Sequence, residues 1–108
     1  MTTLTYPDWK EKIVYSPTGP QPFVLYEDVH LKVVVAGLVA GQKIPPHPAG
    51  QAVYHFLEGN GWMTVNDERF NIKAGATVIT KADDSRGIEA DSDLAFFASK
   101  ITLPVKLP

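Results

Sequence analysis

The chain contains no cysteine. Disulfides, thiolate nucleophiles and cysteine-held metals are excluded together, and a reducing, cytoplasmic setting is expected. Long apolar runs are missing as well. The most apolar stretch, residues 33–41, falls far short of the ~20 residues a spanning helix needs, so no membrane association is expected. The opening MTTLTYPDWKEKIVY has no apolar stretch behind a basic end and does not read as a secretory signal. There is no basic stripe: 10 Lys and Arg stand against 12 Asp and Glu, which makes nucleic acid a poor partner. A sustained helical period is absent too. The best helical candidate, residues 8–13 with Asp8 as cap, is barely a turn and a half long. No GxGxxG, P-loop or GxSxG motif occurs. Ser16, Ser85, Ser92 and Ser99 have no evident base partner. Asp83, Asp84, Asp91 and Asp93 lack the regular spacing of a calcium loop and read as solvated turns.

What is present is punctuation. Nine prolines and eight glycines separate short runs rich in Val, Ile, Tyr, Phe and Thr, the pattern of many short strands joined by tight turns. Strands are predicted near 12–15, 22–27, 29–39, 51–58, 61–66, 68–72, 76–80, 85–90 and 93–101. Residues 16–21 and the proline-rich stretch 41–50 are predicted loops. Turns are predicted at 58–61, at Asn66-Asp67 and at Asp83-Asp84, where Gly, Asn and Asp tolerate positive φ cheaply. The tail 103–108, with two prolines, is expected to lie extended on an edge or against a partner. So many strands in 108 residues imply one all-β domain, 1–108, that manages its edges by closure, as in a jelly-roll barrel.

Two segments carry a more specific signal. Gly41 is followed by QKIPP and His47, and Gly59 closes that stretch after VYHFLE. Gly75 is followed by ATVIT, then Lys81, Ala82, Asp83 and Arg86. This arrangement resembles the cupin superfamily, specifically its small single-domain members of the RmlC-like, conserved-barrel type. The likeness covers roughly residues 30–101 and implies a double-stranded β-helix, with 1–29 and 102–108 as edge extensions. Cupins that bind metal take two histidines and a glutamate from the first motif and a histidine from the second. At those positions this chain has His47, Ala49, Ala52 (with Gln51 beside it) and Arg86. One imidazole falls short of the three protein ligands of a catalytic zinc or iron site. A guanidinium cannot ligate, and at about 4 Å from a dication it would cost roughly 8 kcal/mol at an effective dielectric near 20. No metal and no cofactor are therefore expected.

Strand alternation sets Ala52, Tyr54 and Phe56 on one face and Val53, His55 and Leu57 on the other. The cupin likeness implies that the first set, with Arg86 and Ile88, faces the lumen. The expected ligand-binding group is His47, Gln51, Tyr54, Phe56 and Arg86, with alanines at 49 and 52 leaving room. Each residue also has a bland role open to it: a loop hydrogen bond for His47, core packing for Tyr54, and for Arg86 an ion pair with Glu89 or Asp83. His55 and His30 are expected to be structural, and Trp62 is expected at the surface or an interface. Three functions stay open. The first is metal-free binding of a small organic molecule, with anions suited to Arg86. The second is an isomerase, epimerase or dioxygenase using His47 or Tyr54 as acid/base, or a rebuilt metal site. The third is a dimeric interaction or regulatory module without chemistry. A homodimer is the expected assembly.

Overall fold

The computed structural model describes residues 3–102; the predicted extension at 103–108 lies outside them. Among the described residues nine strands form two antiparallel sheets. In chain order they are β1 (Phe23–Glu27), β2 (Leu31–Leu38), β3 (Lys43–Pro48), β4 (Gln51–Glu58), β5 (Asn60–Val65), β6 (Glu68–Lys73), β7 (Thr77–Thr80), β8 (Ser85–Ala90) and β9 (Leu94–Ile101). The larger sheet runs β1-β2-β9-β4-β7 and the smaller β3-β8-β5-β6. This is the jelly-roll arrangement expected for a double-stranded β-helix. Among the described residues no helix is long and apolar enough to cross a membrane.

Alternation builds the core. From the larger sheet Ala36, Leu38, Tyr54, Phe56, Leu94 and Phe96 point between the layers; from the smaller sheet Met63, Ile72 and Ile88 meet them. Phe96 lies 5.9 Å from Phe56 and 6.1 Å from Tyr54 between ring centroids, both pairs tilted, a favoured geometry for aromatic pairs. Fully burying such side chains contributes roughly 1.5–3 kcal/mol each.

Two predictions along the chain need correction. The stretch 41–50 is not all loop, because Lys43–Pro48 pairs with β8. Its prolines are tolerated because β3 is the edge strand of its sheet. The register also skips between Ile44 and His47, which leaves Pro45 and Pro46 in an arch. Gly87 lies beneath that arch, where an added Cβ would come 3.1 Å from the Ile44 carbonyl oxygen. Residues 12–15 are not a strand. Trp9–Lys12 forms a single 3-10 turn, capped by the Asp8 carboxylate accepting from the Lys10 N–H at 3.0 Å. The chain then crosses the outer face of the larger sheet instead of pairing along its edge. Ile13 and Tyr15 rest on Gly37, where any Cβ would strike them. The Tyr15 hydroxyl donates to Glu58 at 2.6 Å. Burial, then that bond, pushes the Tyr15 phenol above its ordinary pKa.

Phe56 is fully buried and Val29 is 79% exposed. Phe56→Ala should therefore cost about 3–5 kcal/mol, whereas Val29→Ala should stay within about 0.5 kcal/mol of the parent. Urea denaturation midpoints measure both, and similar midpoints for the two variants would contradict this core.

Candidate functional site

The two sheets do not fill the space between them evenly. Toward one end Phe56, Met63, Leu94 and Ile88 close it. Toward the other end the inward residues shrink to Ala52, Ala98 and Val34, and a cavity of about 210 Å³ opens. Val34, Ile44, Phe96 and Ala98 give it apolar walls, while Tyr54, Arg86, Lys32 and Lys100 supply its polar atoms. Convergent polar groups in an apolar concavity are the usual form of a small-molecule site. This one is below the ~300 Å³ where drug-sized sites begin, so its scale is that of a small metabolite.

Arg86 is the second residue of β8, and the turn before that strand holds it in place. Asp84 closes the turn: its N–H donates to the Lys81 carbonyl at 3.0 Å, while its carboxylate accepts from the Lys81 N–H at 2.8 Å and from Asn66 Nδ2 at 2.9 Å. Asn66 sits in the turn after β5 at φ 55° and accepts from the Ser85 N–H at 3.0 Å. The hydrogen bonds from Lys81 and Asn66 favour the ionised carboxylate and hold the Asp84 pKa below its ordinary 3.8.

From that anchored start the half-buried Arg86 side chain reaches across the cavity. Its Nε donates to the Tyr54 hydroxyl at 2.8 Å, and its Nη1 donates to His47 Nδ1 at 3.1 Å. The guanidinium carbon lies 5.6 Å from the centre of the Tyr54 ring. A guanidinium only donates, so His47 Nδ1 is an acceptor here. Its 3.3 Å approach to the Pro45 carbonyl is then a contact and not a hydrogen bond. Neither Glu89 nor Asp83 pairs with Arg86. Glu89 instead meets Lys43 at 3.7 Å and Arg69 at 3.5 Å, with Arg69 stacked 4.0 Å over the half-buried Trp62.

The expected group is thus brought together only in part. Tyr54 and Arg86 are on the cavity wall. His47 is exposed and touches the cavity only through Arg86. Phe56 is sealed in the core below it. Gln51 has the opposite parity to Ala52 and, with Ala49, borders a separate depression of about 350 Å³. The space expected from Ala49 therefore belongs to that depression. His55 meets the Thr77 hydroxyl at 2.7 Å, and His30 stands 3.3 Å from the Thr102 carbonyl.

Lys32 and Lys100 were not anticipated. Alternation could have found them, since each shares parity with inward residues of its own strand: Val34 and Ala36 for Lys32, Ala98 and Phe96 for Lys100.

Solved structures share this architecture. A conserved protein of unknown function from Streptococcus pyogenes superposes with a TM-score of 0.82 at 19% identity, covering 98% of this chain and 93% of that one. An RmlC-like cupin protein from Desulfovibrio desulfuricans gives 0.78 at 21% identity, over 97% and 99%. A cupin superfamily protein from Desulfitobacterium hafniense gives 0.77 at 11% identity, over 83% and 84%.

The fold is that of the cupins.

At these identities the likeness carries fold and not activity. No family model and no curated protein matches the sequence. The positions that the sequence likeness matches to cupin metal ligands do not form a donor set here. Ala49 and Ala52 have no donor atom, and Arg86 places a guanidinium nitrogen on the imidazole nitrogen of His47. Among the described residues no three His, Asp or Glu side chains converge.

The depressed Asp84 pKa has a measurable consequence. The stability its charged form adds is present above the unfolded value near 4 and is lost as pH falls through the lower folded value. Asp84→Asn should be less stable than the parent at pH 6, with the gap closing below about pH 4. Thermal melts across that range test this; a gap of constant size would contradict it.

Proposed function

We propose that this cupin-fold protein binds a small organic anion at the open end of its barrel, without a metal. Arg86 carries the reading. Its guanidinium lies on the cavity wall, bonded to Tyr54 and His47 and to no carboxylate among the described residues. Of its five N–H donors two are spent, so three remain for a ligand. Its planar fork suits a carboxylate or a phosphate. Tyr54 adds a second donor: its oxygen accepts from Arg86, which leaves its own O–H proton to give.

An enzymatic role is supported less well. His47, one of the two expected proton carriers, stands outside the cavity wall. A module without a ligand is also less well supported, because the upper half of the lumen is open and carries polar atoms.

Calorimetry with a panel of small carboxylates and phosphates tests the proposal. At least one should bind, and Arg86→Met should weaken it by about 10- to 100-fold, the worth of a charged hydrogen bond at ~1.5–3 kcal/mol. Arg86→Lys should recover part of the loss. No binder in the panel, or an Arg86→Met protein with unchanged affinity, would refute it. Elemental analysis of protein purified without a histidine tag should find well under one transition-metal ion per chain; a stoichiometric ion would overturn the metal-free part.

For the assembly we propose a homodimer. Ile79 and Ile101 are 66% and 40% exposed on the outer face of the larger sheet, apolar surface that a second copy could cover. Light scattering after gel filtration should give twice the chain mass of 11.8 kDa, and a monomer at micromolar concentration would rule the dimer out.

A further inference from the structure

Resting on that reading, we infer that the ligand carries two separate anionic groups on a short apolar spacer, one held by Arg86 and Tyr54, the other by Lys32 and Lys100. The two lysines are direct partners across the β2–β9 ladder, and both line the cavity that Arg86 lines. Like charges set opposite one another in a sheet repel. No carboxylate comes within 4.0 Å of either ammonium among the described residues. Glu27 faces Lys32 across the other ladder, yet it neither closes on the amine nor lines the cavity. Two opposed lysines and an arginine without an acid partner therefore share one small concavity.

Their spacing selects the ligand. On the face that carries the lysines the next pair of the ladder is Val34 and Ala98, and Tyr54 is the β4 partner of Ala98. One row in from the lysines the lining is apolar at Val34 and Ala98 and polar at Tyr54, whose hydroxyl accepts from Arg86. Residues two apart along a strand are about 6.7 Å apart. A cavity of about 210 Å³ equals the liquid share of about seven waters. A diacid of about five or six carbons matches both the span and the volume, and its methylenes would lie on Val34 and Ala98. A single compact anion would leave either the lysines or the guanidinium unused.

The test compares glutarate and adipate with pentanoate and hexanoate by calorimetry at low ionic strength. The proteins are the parent, Lys100→Met and the double variant Lys32→Met with Lys100→Met. The parent should bind a diacid at least tenfold more tightly than the monoacid of equal length. In the double variant that preference should fall to less than twofold. Without ligand the lysine variants should melt at a higher temperature than the parent, because the opposed charges are gone. Equal affinity for mono- and diacids, or a preference that survives in the double variant, overturns the inference and leaves the anion-binding reading standing. Variants that melt below the parent would assign the lysines to the fold and overturn it as well. If no diacid binds, the inference falls, and the broader carboxylate and phosphate panel then decides the reading beneath it.

Discussion

One guanidinium ties the open end of the barrel together. Arg86 starts on the smaller sheet and bonds Tyr54 on the larger one. Its second bond fixes His47 on the neighbouring strand β3. A charge that is half-buried has to be satisfied, and neutral acceptors do this only in part: a phenol oxygen and an imidazole nitrogen give two hydrogen bonds and no opposite charge. Unlike an ion pair with Glu89, that arrangement leaves the positive charge available to whatever enters. It also fixes the chemistry of the site. The imidazole spends its Nδ1 lone pair on the guanidinium, which lies beside it.

Side-chain size divides the barrel into a sealed half and an open half. The same alternation that sends Leu38, Phe56 and Leu94 inward at one end sends Ala52, Ala98 and Val34 inward at the other. Large residues close the space and supply the stability. Small ones leave a cavity that the backbone alone would not require. Phe96 sits at the boundary, packed on Phe56 below and Tyr54 above, so the floor of the cavity is the top of the core. The site thus rests on a rigid base, as a small ligand requires if its orientation is to be fixed by a few hydrogen bonds.

Much of this was legible in the sequence because alternation and turn chemistry are local. Asn66 and the Glu58–Gly61 stretch marked their turns, and residues 51–58 showed their inward face directly. What escaped depended on neighbours in space. Lys43–Pro48 reads as loop because of its three prolines; it pairs only because it lies on an edge and arches away where the prolines fall. Residues 12–15 have strand composition, yet their partners turn out to be Gly37 and Glu58, far along the chain. In the site, Tyr54 and Arg86 follow from parity combined with the cupin likeness. Gln51 fails by that same parity, being one residue out of step with Ala52. Phe56 has the right face but the wrong depth, and depth depends on what the opposite sheet contributes.

Lys32 and Lys100 mark the point where local rules and the structure part company. A sheet built for stability alone would not place two ammonium groups opposite one another on an inward row. Departures of this kind gather where function outweighs stability. Here the departure coincides with the small residues, the open volume and an arginine that has no acid partner among the described residues. Each has an ordinary explanation when taken singly: exposed lysines, tolerated alanines, a capped guanidinium. Their convergence on one cavity is what a random surface does not supply. An anion entering there would relieve the lysine repulsion and complete the charge of Arg86 at once, so its binding would draw on cations and donors that the fold itself leaves without a partner charge.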